Sequence, residues 1–462
     1  MAGFALPQTL HPMPFQSSSD LLQRSLAAVW HPCTQMKHHE TLPLVPIVRG
    51  EGAWLIDADG RRLLDGISSW WVNLFGHCNR RINAALREQL ETLEHVMLAG
   101  FTHPPAVELA ERLAALTGHR LGHAFYASDG ASATEIALKM SVHYWRNRGE
   151  AGKNRFISLA GSYHGETAGA LAVTDVALFR DAYAPLVRPG ATVPTPDIRL
   201  AVAGESASSL ARRAAQALEA HLAEHHAETA ALIVEPLVQG ASGMVMYDAE
   251  YLRQARALCD RYRVHLIADE IAVGCGRTGT FFAWEQVAAD DAAGWPDFIC
   301  LSKGISGGYL PLSLVLSSDD IYAAFYDDSS TRAFLHSHSY TGNPLACRAA
   351  LATLDIFRED DVVAENRGRA ERMRRQADER FANHPAVRHL RQQGMILAFD
   401  VDTGTLGAGE FARRFFAAAL DHGLLLRPIG NTVYFMPPYV LGEDELRHLV
   451  DGAAAALERA LR

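Results

Sequence analysis

A lysine set between an apolar run and a glycine is the first residue whose type and place suggest chemistry. Lys303 follows Phe298-Ile-Cys-Leu301 and precedes Gly304, so a primary amine leaves the end of a buried strand and enters a loop. A lysine before glycine is ordinarily a surface residue. Buried beside an electrophile, the same amine can form a Schiff base. The second such residue is Asp269, in Leu266-Ile-Ala-Asp-Glu-Ile271. A carboxylate at the end of a buried strand needs a partner, because an isolated buried charge is very costly. A two-residue period puts Ile271 on the same face as Asp269. The partner of Asp269 can be its own loop, a magnesium ion of the Walker-B kind, or a protonated ring nitrogen. The magnesium reading requires a G-x-x-x-x-G-K-[ST] loop upstream, which the chain lacks.

Four further groups have two readings each. Ser128-Asp-Gly-Ala-Ser132 precedes a helical stripe of Ile136, Met140 and Tyr144. The amides of Gly130 and Ala131 can hold a phosphate there, or the segment is a capped helix start with Asp129 or Ser128 as cap and Glu135 in its first turn. In Gly161-Ser-Tyr-His-Gly165, Tyr163 can stack on a flat heterocycle or join His164 in a structural hydrogen-bonded pair. Arg427, before Pro428, offers a fork to a carboxylate, either a ligand's or the chain's own. Trp70 and Trp71, after Ser68-Ser69, are core residues or the wall of an apolar channel. Singly, each group has a plain structural explanation. Together they supply an amine, a ring-nitrogen partner, a stacking ring, phosphate amides and a carboxylate-binding arginine, the set that pyridoxal 5'-phosphate and a carboxylate substrate require.

The elements that must position them are legible as short apolar runs: His123–Ala127, Arg155–Leu159, Ala231–Val234, His265–Ala268, Phe298–Leu301 and Leu312–Leu316. Helical-period sequence separates most of them, which predicts an α/β fold with a mostly parallel central sheet covered on both faces. Ligands of such sheets sit at the carboxyl ends of the strands. Short runs broken by Gly50-Glu-Gly52 and Asp57-Ala-Asp-Gly60 predict an antiparallel meander near the N-terminus. Beyond Pro344, one long helical stretch to about Arg380, strands around Met395–Val401, Leu424–Arg427 and Thr432–Met436, and two more helices predict a smaller α+β domain. Gly430-Asn431 suits the turn between the last two strands. The expected division is a mobile extension over residues 1–20, an N-terminal part of the small domain over 21–66, a large domain over 67–345 and the rest of the small domain over 346–462.

With 462 residues, 48% hydrophobic and 21% charged, the chain is long enough to bury a large core without staples. A net charge of −10 argues against nucleic acid or an anionic membrane as partner. The six cysteines are scattered without a C-x-x-C, as reduced thiols of a cytoplasmic protein are. No secretory signal or membrane-length apolar run is visible. The 21 histidines include His38-His39, His225-His226 and His336-Ser-His338, short pairs that by themselves are weak metal signals, and no metal is expected.

The ordered segments Asp269-Glu-Ile-Ala-Val-Gly-Cys-Gly-Arg-Thr-Gly279, Ser302-Lys-Gly304 and Tyr340-Thr-Gly-Asn-Pro-Leu-Ala-Cys347 resemble the class III aminotransferases of fold type I. Trp30-His-Pro-Cys-Thr-Gln-Met36, Asp65-Gly-Ile-Ser-Ser-Trp-Trp71, Ile233-Val-Glu-Pro-Leu-Val-Gln-Gly240 and Tyr434-Phe-Met-Pro-Pro-Tyr439 narrow the resemblance. They resemble the branch that transaminates 8-amino-7-oxononanoate in biotin synthesis, which implies S-adenosyl-L-methionine as donor, with lysine as the alternative donor and another class III ω-amino transaminase as the alternative activity. The resemblance implies a homodimer with shared active sites, Lys303 as the cofactor-bearing lysine and proton shuttle, and Asp269 on the ring nitrogen. Gly130 and Ala131 match the phosphate-binding pair, and His338 and Ser339 match residues that reach the phosphate from the partner subunit. Trp70, Tyr163, Ser337 and Arg427 match substrate contacts, with Tyr434 nearby and Glu235 behind them. The sequence departs from the family at Cys33, where a substrate-contacting tyrosine is common, and at Ser337-His338, where Gly-Pro is common. It departs also at Ala131, which lacks a hydroxyl that neighbouring Ser132 carries.

Overall fold

The computed structural model describes residues 18–42, 44–288 and 294–462. Seven strands form the central sheet: β1 (His123–Ala127), β2 (Arg155–Leu159), β3 (Ala191–Val193), β4 (Thr229–Val234), β5 (His265–Asp269), β6 (Phe298–Leu301) and β7 (Ser313–Ser317). Their order is β1-β7-β6-β5-β4-β2-β3. β2 to β6 pair parallel with their neighbours, while β7 runs antiparallel to both β6 and β1. Every residue of β4, β5, β6 and β7 is buried, because helices cover both faces, and the strands read as unbroken apolar runs for that reason. Two buried clusters lie on the two sides of the sheet. One contains Ile136, Ile233, Ile267 and Phe298, and the other Leu232, Leu266, Ala268 and Leu301.

The two ends of the chain meet in a second sheet. The predicted meander is present as Ile47–Glu51, Trp54–Asp57 and Arg62–Asp65, and Arg62–Asp65 pairs in parallel with Leu424–Leu425. A third, antiparallel sheet joins Val387–Gln393, Ile396–Val401 and Thr432–Phe435. Helices Pro344–Glu359, Val362–Phe381, Ala408–Asp421 and Glu443–Ala460 pack around these sheets.

Several expectations differ from the structure in detail. The stretch from Pro344 is two helices, broken where Asp361 takes φ 44°. β3 and Val387–Gln393 are strands without a strong apolar pattern. Gly430-Asn431 does make a tight turn, with Ile429 and Thr432 exchanging two backbone hydrogen bonds of 2.9 Å. The chain then crosses from one sheet to another instead of folding back in a hairpin. Residues 1–17 of the expected extension lie outside the described residues, and Ser18–Asp20 open the helix Ser18–Ala28. Among the described residues no helix is long and apolar enough to cross a membrane.

Candidate active site

The carboxyl ends of the parallel strands converge on one cavity. Asp269 ends β5, Lys303 follows β6, Glu235 follows β4 and Tyr163-His164-Gly165 lie in the loop after β2. Gly130 opens helix α1 (Gly130–Asn147) just beyond β1. These residues, with Ala131, Ile271 and Trp71, line a cavity of about 290 Å³. Lys303 and Asp269, on neighbouring strands, therefore face the same space. Strand β5 stops at Asp269, so Ile271 reaches the cavity from the turn that follows, not from the strand.

Burial dominates at Lys303 and drives its amine below the usual lysine range, while the negative charges of Asp269 and Glu235 oppose the drop. Its Nζ lies 5.1 Å from the centre of the Trp71 ring. Asp269 is buried and fixed on both oxygens: Oδ1 accepts the Ile271 N–H at 3.1 Å, and Oδ2 lies 2.7 Å from His164 Nδ1. His164 Nε2 is buried without a partner among the described residues. Histidine in this role was not singled out from the sequence, where a Tyr-His pair in a loop has no spacing that ties it to Asp269. Glu235 accepts the N–H groups of Tyr163 at 3.1 Å and Gly240 at 2.9 Å. Burial nevertheless pushes its carboxyl up to about 7, against the pull of His164 and with the push of Asp269. Tyr163 donates its hydroxyl to Glu166 at 2.9 Å and packs its ring against Phe179. Burial raises its phenol above the usual range.

Helix α1 supplies the anion end. Asp129 caps it, taking the Ser132 N–H at 3.0 Å and the Ser132 hydroxyl at 2.7 Å. The Ser132 hydroxyl thus donates to the cap and does not replace the one missing at Ala131. The N–H groups of Gly130 and Ala131 have no acceptor among the described residues, as expected in a first helical turn. Space is tight around them. A Cβ on Gly130 would lie 3.0 Å from Ile271, and one on Gly165, at φ 119°, would lie 2.5 Å from the Ala131 methyl.

The substrate-side residues sit on other elements. Ser68, Ser69, Trp70 and Trp71 take φ values of 53°, 46°, 71° and 75°, and Val72 N–H returns to Ser68 O at 3.0 Å. The segment is one turn of left-handed helix, which for L-residues costs about 1–2 kcal/mol per residue. It sends the two tryptophans to different tasks. Trp71 is buried, lines the cavity and donates its indole N–H to the Tyr434 hydroxyl at 3.1 Å; burial pushes the Tyr434 phenol up to about 12. Trp70 is 47% exposed and lies under the Arg427 guanidinium, 5.4 Å from ring centre to Cζ. Arg427 donates to the carbonyl of Cys33 at 3.2 Å. It has no carboxylate partner among the described residues, so the internal salt bridge open to it on sequence grounds is not formed. Ser337, His338 and Ser339 do not line the cavity of their own chain; His338 lies 3.2 Å from the Ser128 hydroxyl. Among the described residues no three metal-ligating side chains gather.

An amine and a carboxylate at adjacent strand ends, with free helix amides beside them, define a class of enzyme. The chain belongs to the class III aminotransferases, a pyridoxal-phosphate-dependent family: residues 35–457 match the family described as Aminotransferase class-III. Among its relatives, the adenosylmethionine-8-amino-7-oxononanoate aminotransferase of Helicobacter pylori is 44% identical over 452 residues, which cover 96% of this chain and 99% of the relative. The enzyme of the same name from Geobacter sulfurreducens is 38% identical, covering 95% and 98%. Of solved structures, that of the Methanocaldococcus jannaschii enzyme of this name superposes with a TM-score of 0.89 at 32% identity, covering 96% and 99%. An omega transaminase of Pseudomonas jessenii in complex with PMP also reaches 0.89, at 29% identity, covering 95% and 98%.

The residues present fit the family's cofactor. A primary amine, a buried carboxylate and two helix-start amides without an acceptor among the described residues are the group types that an aldehyde, a ring nitrogen and a phosphate call for, and all line one cavity.

Proposed function

We propose that this chain moves an amino group from S-adenosyl-L-methionine to 8-amino-7-oxononanoate, giving 7,8-diaminononanoate for biotin synthesis. The observation that carries this reading is the Arg427 fork over Trp70, without a carboxylate partner among the described residues, where Trp70 adjoins Trp71, which lines the cavity that holds Lys303 and Asp269. Near-full-length identity to enzymes of that name supports it. In this reading Lys303 would hold the cofactor's aldehyde carbon, Asp269 its ring nitrogen, Gly130 and Ala131 its phosphate, and Tyr163 and Ile271 its ring faces. When bound, pyridoxal phosphate supplies an electrophilic carbon and a ring that withdraws electrons.

The chain's own groups do the rest. Burial leaves the Lys303 amine more readily neutral than an exposed lysine, so Nζ can take a proton from a substrate carbon and return it. His164 Nδ1 and the Ile271 amide keep Asp269 aligned as a fixed negative charge. Trp71 and Tyr434 shield the amine side from water. The Arg427 fork takes the acceptor's carboxylate, and each methylene buried along the tryptophans contributes about 0.8 kcal/mol, so length and charge are selected together. Donor and acceptor use the site in turn, which predicts ping-pong kinetics. The active enzyme is a cytoplasmic homodimer with shared sites, in which His338 and Ser339 serve the partner's phosphate end. Cys33 and Ser337 border the substrate side.

The test offers the purified enzyme 8-amino-7-oxononanoate with S-adenosyl-L-methionine, lysine or a simple ω-amine in turn, and detects 7,8-diaminononanoate by mass spectrometry. Product with S-adenosyl-L-methionine and parallel double-reciprocal lines are expected. Product with lysine alone reassigns the donor, and amine transfer that ignores this acceptor overturns the reading.

A further inference from the structure

The left-handed turn Ser68–Trp71 carries no reacting group, yet three parts of the chain converge to hold it. Asp65 is fully buried and does not face the cavity. Its Oδ1 accepts the Ser69 N–H at 2.8 Å, and its Oδ2 accepts the Ser69 hydroxyl at 2.7 Å. Oδ2 also lies 3.1 Å from His77 Nε2, while Asn73 Nδ2 lies 3.0 Å from His77 Nδ1. An amide donating to Nδ1 leaves the histidine proton on Nε2, aimed at Asp65. From the other side the buried Arg277 guanidinium, which has no carboxylate partner among the described residues, donates to the carbonyls of Asn73 at 3.2 Å, Trp71 at 3.4 Å and Pro437 at 2.6 Å. Ser68 donates its hydroxyl to Met436 O at 2.7 Å, which ties the turn to the strand that bears Tyr434.

We propose that Asp65 and Ser69 are positioning residues that set acceptor specificity by locking this turn in its left-handed form. Adjacent residues serve two cations on different elements, Trp70 under Arg427 and Trp71 beside Lys303. A right-handed turn would reverse the sense of rotation between the two side chains, so both contacts could not be kept. The lock therefore fixes the path between the reacting amine and the carboxylate fork. Backbone strain concentrated where a site must be held in one geometry is consistent with such a role. The proposal rests on the reading of Arg427 as a carboxylate site.

Nonanoate serves as the probe, with binding to the holoenzyme followed by calorimetry. Ser69→Ala removes the hydroxyl and keeps the strained Cβ; Ser69→Gly removes both; Asp65→Asn removes the charge. Ser69→Ala and Asp65→Asn are expected to weaken nonanoate about tenfold and pentanoate less, and to raise the acceptor KM more than they lower kcat. Ser69→Gly recovers most of the loss, because glycine accepts positive φ without penalty. Full nonanoate affinity in Ser69→Ala, with only a lower melting temperature, would reduce the turn to scaffolding and overturn the proposal. Nonanoate binding that is the same in Arg427→Ala as in the wild-type enzyme would instead refute the carboxylate reading. The turn is then judged by iodide quenching of Trp70, taken as the difference from Trp70→Phe. A changed signal in Ser69→Ala upholds the lock, and an unchanged one overturns it.

Discussion

Glu235 gives a prediction whose size follows from its surroundings. Burial, with Asp269 nearby, pushes its carboxyl up to about 7 from an ordinary value of 4.5. A folded-state value above the unfolded one means that the folded protein holds the proton more tightly. The resulting stability is complete at low pH, falls as pH rises from 4.5 towards 7, and is flat beyond. With about 1.4 kcal/mol per tenfold change in proton affinity, the loss between pH 5 and pH 8 is on the order of 2–3 kcal/mol. The perturbation is Glu235→Gln, which cannot titrate. The substitution also sets an amide NH₂ against one of the two N–H groups from Tyr163 and Gly240, an unfavourable contact, but that offset does not depend on pH. The quantity to measure is therefore the difference in urea-unfolding free energy between wild type and variant, cofactor-free, from pH 5 to pH 8. Wild type loses on the order of 2–3 kcal/mol relative to Glu235→Gln across that window. A difference that stays level, or that moves the other way, would refute the assignment of a raised carboxyl to this position.

Three other outcomes are expected. Gly165→Ala puts a methyl 2.5 Å from that of Ala131 at a φ of 119°, so cofactor affinity, read by equilibrium dialysis, falls more than tenfold while the far side of the sheet is unaffected. Arg427→Ala raises the acceptor KM by on the order of a hundredfold through loss of a charge-paired fork, with Arg427→Lys restoring part of it in steady-state assays. Lys153, which donates to the carbonyls of His226 at 2.8 Å and Arg263 at 2.7 Å, is remote from the cavity. Lys153→Met strands those half-buried acceptors and costs about 1–3 kcal/mol in denaturant unfolding, with turnover of the surviving enzyme unchanged.

The central sheet was legible because burial on both faces writes each strand as an uninterrupted apolar run, as in Phe298–Leu301. Edge strands lack that mark. β3 has three residues at one end of the sheet, and Val387–Gln393 alternates polar side chains on the margin of its own sheet. The break at Asp361 was hidden because a helical period continues on both sides of a single residue with positive φ. Lys303 and Asp269 stood out because a charged residue at a buried strand end is chemically anomalous. His164, Asp65 and Arg277 did not, since what distinguishes each is its partner, and those partners lie far away in the sequence. Asp65 with Ser69 is the exception that a closer reading could have found. An aspartate four residues before a serine, after a glycine, suits a side chain that turns back on the backbone.

The division of labour between elements bears on how this site can change. Lys303, Asp269 and Glu235 project into the cavity from the carboxyl ends of β6, β5 and β4, strands of the buried central sheet. Arg427, Trp70 and Tyr434 stand on the turn and on the two smaller sheets, joined to the amine side mainly through Trp71, which touches both Lys303 and Tyr434. The side chains of Trp70 and Arg427 meet each other and do not line the cavity of the proton-moving groups, so substitutions there let a different acceptor be accommodated while the amine and its carboxylate keep their places. Substitutions at Trp71 act on both halves at once. Trp71→Phe keeps an aromatic ring beside the amine but deletes the indole N–H that Tyr434 accepts, so it should disturb donor and acceptor half-reactions together, where Trp70→Phe disturbs the acceptor alone. Rapid-mixing measurements of the two half-reactions separate these outcomes, and equal effects of the two substitutions on both halves would show that the coupling does not run through Trp71.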